Sequence, residues 1–143
     1  MPKVENIVVQ KTIVLDGEGR CLLLRRSKTD PRRPGDWDLP GGRWEAGESL
    51  NAGAEREVVE ESGIKVKNLT PRFTKCKIIE KDGETYNYIL IIYTAEHANG
   101  EVVLSYEHNE YVWVEKQEVL EKYITYDNHA EAIAYIFDNQ LEL

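Results

Sequence analysis

The sequence predicts an α+β fold built on a mixed β-sheet. Three observations point there: runs of β-branched residues are separated by turn dipeptides, two segments carry helical periodicity, and strands and helices do not alternate as regular βαβ units. With 143 residues, 41% hydrophobic and 31% charged, the chain has the size and composition of one globular domain spanning residues 1–143.

The first strand is Ile7–Leu15, and Asp16-Gly17-Glu18-Gly19 turns it into a second, Cys21–Arg26. Ser27–Pro40 contains "DPRRPGDWDLP", whose Pro and Gly residues break both helix and strand, so it reads as a loop. It leads into Gly41-Gly42, which either forms a plain tight turn or lets backbone approach a ligand closely. A helix follows over Leu50–Ser62, with Ser49 placed to cap it and Gly63 placed to end it. Strands Arg72–Glu80 and Tyr86–Ala95 flank Asp82-Gly83, a hairpin signature. Asn99-Gly100 carries the same signature and introduces strands Glu101–Leu104 and Tyr111–Val114. A short helix is expected near Gln117–Lys122 and a longer one over His129–Gln140. In the longer one Ala130, Ile133, Ala134, Phe137 and Leu141 recur at helical spacing and should face the core.

The formal net charge is −8, which disfavours binding to a nucleic-acid backbone. A small polyanion remains compatible with such a chain if a cation bridges the two. Cys21 and Cys76 form no CxxC pair and are expected as small buried hydrophobes, so no disulfide framework is implied. The N-terminus lacks the apolar stretch of a signal peptide, and the longest apolar run, "ILIIY", is far too short to span a membrane. The expectation is a soluble cytoplasmic protein without a membrane partner.

The segment "REVVEESGI" places Glu57, Glu60 and Glu61 on adjoining positions of one helical turn. Like charges so spaced cost about 0.2–0.5 kcal/mol per pair, and the C-terminal end of a helix disfavours anions further. Alone, the trio is a solvated acidic face with Arg56 as counter-charge. Held beside the buried stripe, it needs a hard divalent cation, for which Mg²⁺ is the default.

The surrounding residues decide between these. Gly42, Glu48, Arg56, Glu57, Val58, Glu60, Glu61, Gly63 and Ile64 satisfy every fixed position of G-x5-E-x7-R-E-U-x-E-E-x-G-U, where U is a bulky aliphatic residue. On this signature the chain is identified as a member of the Nudix hydrolase family, MutT-like. "DWDLPGG", "LLLRRS" and "EHNEYVWV" resemble the family's flanking segments. The resemblance implies the Nudix fold, an α/β/α sandwich with a mixed sheet. It also implies hydrolysis of a nucleoside diphosphate linked to another moiety, with Mg²⁺ as cofactor and Mn²⁺ as a substitute.

Carried over by position, Glu57 and Glu61 are the principal metal ligands, Glu60 a ligand in some members, and the carbonyl of Gly42 or Gly41 a backbone ligand. Arg56 orients the carboxylates, with Glu48 beside it. The general base is a glutamate of the motif, Glu60 or Glu61, or one outside it. Glu107 is the outside candidate, and equally readable as an exposed loop charge; Glu110 ranks behind it. His97, His108 and His129 have no ligand-like spacing. For the substrate, Arg26 is the choice for phosphate contact from the basic cluster Arg25, Arg26, Lys28, Arg32 and Arg33, since it matches a substrate-contacting arginine of members that cleave 8-oxo-dGTP, and Asp38 matches a position that can read a purine edge. Asn128 matches a base-reading position, although with Glu131 it reads first as a helix N-cap. Trp37 reads as a loop anchor ahead of a base-stacking ring. The expected partner is a small nucleotide, by elimination a (d)NTP or oxidised (d)NTP cleaved to NMP and pyrophosphate. A dinucleoside polyphosphate, ADP-ribose, or a non-catalytic nucleotide sensor are the alternatives. Family members are often dimers, which leaves a homodimer open.

Overall fold

The computed structural model describes residues 3–139. Strand β1 (Val4–Leu15) runs parallel to β6 (Glu84–Asn99) in unbroken register from Val4↔Thr85 to Leu15↔Glu96, and β6 pairs antiparallel with β5 (Lys65–Lys81). On its other edge β1 pairs with β4 (Gly41–Arg43) and, at Leu15↔Cys21, with β2 (Cys21–Arg26). β2 in turn pairs antiparallel with β3 (Trp37–Asp38) and β7 (His108–Val114). The sheet is therefore mixed, as expected.

Alternation along β1 divides the core. Ile13 and Leu15 pack with Leu23 and Ile92 against Ile133 and Ile136 of helix α3 (Asp127–Asp138). Val14 packs with Leu22 and Leu24 against Val58 of helix α1 (Leu50–Ser62). Helices thus cover both faces of the sheet, which is the expected α/β/α sandwich. Cover on both faces is also why β2 reads as an unbroken apolar run.

Local chemistry sets the element ends. The Ser49 hydroxyl accepts from the Ala52 amide at 3.1 Å, and Gly63 adopts φ 75° to close α1 through its amide to the Val59 carbonyl. Asp82 and Gly83 both have positive φ, 52° and 78°, the pair needed for a two-residue turn that follows the twist of β5 and β6. The short helix α2 (Lys116–Glu118) continues into a wider turn at Val119–Tyr123, closed by Ile124 N–H to the Val119 carbonyl.

Several expectations need correction. Glu101–Leu104 is not a strand: the Val103 and Ser105 amides bond instead to the carbonyls of Ser62 and Glu61 at the end of α1. Asn99-Gly100 therefore leads out of the sheet rather than into a hairpin. The Ser27–Pro40 loop contains the two residues of β3. Helix α3 begins at Asp127 after Tyr126, with no side-chain cap, so Asn128 lies in the first turn rather than at the cap. Its buried stripe is His129, Ala132, Ile133 and Ile136, about one residue out of phase with the expected one, while Ala130 and Phe137 pack at the margin. Gln140 and Leu141 lie outside the described residues. Cys21 is buried, which pushes its thiol up to about 12, but Cys76 is exposed; both are free. No helix among the described residues is long and apolar enough to cross a membrane.

Candidate active site

Helix α1 and the Gly41-Gly42 turn form one wall of a cleft of about 740 Å³. The buried positions of α1 are Gly53, Ala54, Glu57, Val58, Glu61 and Ser62, so two carboxylates share the helix's inward stripe. Glu57 is 9% exposed and Glu61 7%. Burial raises both carboxyl groups, Glu61 to about 7 against the opposing pull of Lys11 and the Gly41 amide. Glu61 Oε1 accepts from that amide at 2.8 Å.

Gly42 is required here for a steric reason. A Cβ on it would lie 2.4 Å from Glu57 Oε2 and 2.7 Å from its Cδ. Gly41 presses against β1: its φ is 153°, and a Cβ would lie 1.9 Å from the Gln10 carbonyl oxygen.

Arg56 organises the remaining carboxylates. Its Nε and Nη2 bind Glu48 in a fork, at 3.0 and 2.7 Å. Its Nη1 donates to Glu57 Oε1 at 3.0 Å and to Glu60 Oε2 at 3.1 Å. This bidentate geometry holds Glu48 below the usual carboxylate range and makes Arg56 harder to deprotonate. Glu60 remains the exposed member of the trio, its side chain 57% accessible.

These donors suit a hard divalent cation: they are carboxylate and carbonyl oxygens, and a glycine leaves open the space that a Cβ would fill beside Glu57. Among the described residues, no three Asp, Glu, His or Cys groups already stand at metal-ligand spacing. Arg56 holds Glu57 and Glu60, while Gly41 holds Glu61.

Basic side chains also line the cleft, and three of them, Lys11, Arg26 and Arg33, gather on Asp38. This carboxylate is fully buried and accepts from Lys11 Nζ at 3.2 Å, Arg26 Nη1 at 3.1 Å and Arg33 Nη2 at 2.9 Å, all on Oδ2. Oδ1 accepts from the Leu39 amide at 2.8 Å and lies 3.0 Å from His129 Nδ1. Burial would raise Asp38, but Lys11, His129 and Arg33 together hold it well below the usual range. Arg26 also pairs with Asp30 at 2.7 Å, and the Arg33 guanidinium lies 4.1 Å from the Tyr126 ring centre.

The cleft brings together Arg26, Gly42, Arg56, Glu57, Glu60, Glu61, Glu107 and Asn128. Asp38 stands behind this surface, taken up by its cations. Glu110 pairs with Arg25 at 3.5 Å away from the cleft. Trp37 packs edge-on against Tyr123 at 5.3 Å, the anchoring role expected of it. Sequence reasoning missed Lys11 and His108, both buried and both lining the cleft. A signal existed for Lys11: a charge at the centre of a polar triplet, Gln10-Lys11-Thr12, between two apolar runs of one strand, "IVVQKTIVL".

Comparison with known proteins gives the same assignment. The NUDIX domain family model matches residues 8–136, and the chain belongs to this family. It is a MutT-like Nudix hydrolase, an enzyme acting on phosphoanhydride bonds. It is similar to the nucleoside triphosphatase NudI of Escherichia coli O139:H28, 31% identical over 121 residues, covering 78% of this chain and 86% of the relative. Among solved structures it is similar to a MutT protein of Methanosarcina mazei Go1, with TM-score 0.77, 30% identity and full coverage of both chains. A MutT protein of Bacillus halodurans gives TM-score 0.72 and 33% identity, over 96% of this chain and 83% of that one.

Proposed function

We propose that the protein is a Mg²⁺-dependent nucleoside triphosphate pyrophosphohydrolase, acting on a (d)NTP or oxidised (d)NTP and releasing NMP and pyrophosphate. The observation that carries this is the mixed lining of the cleft: the carboxylates of α1 and the basic side chains gathered on Asp38 open onto one space. A phosphate chain fits there when a cation neutralises it against the carboxylates and basic side chains meet it directly. The triphosphatase name carried by the Escherichia coli relative supports the same substrate class.

Glu57, Glu61 and Glu60 would hold the cation with the Gly42 carbonyl, and when bound it supplies charge neutralisation and an activated water. Arg56 keeps Glu57 and Glu60 aimed. Glu107 takes the proton of the attacking water: it lines the cleft, and its carboxylate has no hydrogen-bond partner among the described residues. Arg26 meets phosphate. Asn128, free of a capping role, meets the base from the first turn of α3. Asp38 acts through the cations it fixes.

The test is incubation of the pure protein with Mg²⁺ and a panel of four dNTPs, 8-oxo-dGTP, a dinucleoside polyphosphate and ADP-ribose, with products identified by mass. NMP plus pyrophosphate from a triphosphate is the expected result. Cleavage confined to the last two substrates would contradict the proposal, and binding without cleavage would make the protein a sensor.

A further inference from the structure

Lys11 is a buried cation with more donors than partners. It lies on β1 opposite Gly41 in the β1–β4 register, next to Gln10, which faces Gly42. Its side chain is 8% exposed and lines the cleft. An ammonium carries three N–H donors. Here two acceptors are present, Asp38 Oδ2 at 3.2 Å and the Leu39 carbonyl at 3.3 Å, both at the long end of the hydrogen-bond range. The third donor has no partner among the described residues.

Asp38 cannot neutralise it alone. The same oxygen, Oδ2, also accepts from Arg26 and Arg33, so one carboxylate oxygen is shared by three basic side chains. Asp30 pairs with Arg26, and Asp36 reaches Arg33 only at 4.0 Å. Lys11 has no carboxylate to itself. Burying an ammonium is costly unless it is paired, and a hydrophobic residue would fill this mid-sheet position more cheaply. Meanwhile Lys11 acts electrostatically on Glu57, Glu61, Asp38 and His108. The position makes sense if an anion completes it.

We propose that Lys11 contacts the phosphate chain of the substrate, donating its free N–H to a phosphate oxygen in the cleft. This rests on the nucleotide-hydrolase reading of the cleft and adds to it a contact that the motif does not contain. Lys11 is a charge stabiliser and not a proton donor. When water's oxygen bonds to phosphorus, the P–O bridge breaks with its electron pair on the departing phosphate oxygen, and the proton of water goes to a cleft carboxylate. A fixed cation beside the phosphates then meets charge as it develops. Asp38 is the positioning residue that holds the ammonium in place.

The test compares wild type with Lys11→Met, which keeps the side chain's length and apolar stem, and with Lys11→Arg. Calorimetry with Mg²⁺ present measures binding of inorganic tripolyphosphate, which has phosphates and no base, and of deoxyguanosine, which has a base and no phosphate. Lys11→Met should bind tripolyphosphate roughly 10–100-fold more weakly and leave deoxyguanosine unchanged. Turnover of the preferred nucleotide should fall roughly 10²–10³-fold per folded molecule, with partial recovery in Lys11→Arg. Equal loss for both probes would overturn the proposal and make Lys11 a structural tether of Asp38. So would unchanged tripolyphosphate binding and turnover. If wild type hydrolyses no nucleotide, the function proposed above fails, and the tripolyphosphate comparison still decides the role of Lys11.

Discussion

Two buried acids, Glu61 lining the cleft and Asp38 behind it, are driven in opposite directions by their surroundings. Glu61 is raised to about 7 because burial outweighs Lys11 and the Gly41 amide. Its folded-state pKa lies above the ordinary 4.5, so the folded protein binds that proton more tightly than the unfolded chain. The penalty is absent below pH 4.5 and complete above about 7. Metal-free protein should therefore lose stability across that window, on the order of 3 kcal/mol. Glu61→Gln should flatten that slope in urea unfolding followed with EDTA present; an unchanged slope would show that another group sets it. Asp38 behaves oppositely, its carboxyl held down by Lys11, His129 and Arg33. Asp38→Asn leaves three cations without their shared anion and should cost about 3–5 kcal/mol by the same unfolding measurement. A cost below about 1 kcal/mol would show that the cations find other partners. The burial of Asp38 could not be read from "DWDLPGG", because its neighbours come from β1, β2, the loop before β3, and α3.

Elements whose ends are set by local chemistry were legible, and those set by distant partners were not. Ser49, Gly63 and Asp82-Gly83 terminate their elements as the sequence implies, since a cap or a left-handed turn needs only neighbouring atoms. Glu101–Leu104 has strand composition, yet its amides are taken by the end of α1, a partner that composition does not reveal. The start of α3 misleads in the same way: Asn128 looks like a cap, but the helix begins before it. The α1 carboxylates were readable because they lie within one helix, whereas the basic cluster is assembled from several elements. The turn between β4 and α1 yields a separable prediction. Gly42→Ala places a methyl 2.4 Å from Glu57 Oε2, a clash with a side chain rather than with backbone. Turnover should fall roughly 10²-fold while the melting temperature drops only a few degrees. Gly41→Ala instead strikes the Gln10 carbonyl at 1.9 Å and should disrupt β1–β4 pairing and folding. Equal losses of activity and stability in both variants would mean that Gly42 serves folding rather than the site.

At the scale of the molecule, an acidic chain of net charge −8 gathers both basic side chains and carboxylates around one cleft. This arrangement admits a phosphate chain where the surface at large repels it. It also ties the whole fold to one site, because α1 carries the acids on its buried stripe and β1 carries Lys11 at the centre of the sheet. In the proposed reaction Glu57 and Glu61 hold the cation that hydrolysis requires. The most direct test is the turnover of a purine dNTP against Mg²⁺ concentration in wild type, Glu57→Gln and Glu61→Gln, with folding of each checked by circular dichroism. Both folded variants should lose roughly 10²-fold or more of the rate and need higher Mg²⁺ to reach half of what remains. Wild-type turnover and wild-type Mg²⁺ dependence in both variants would contradict that role.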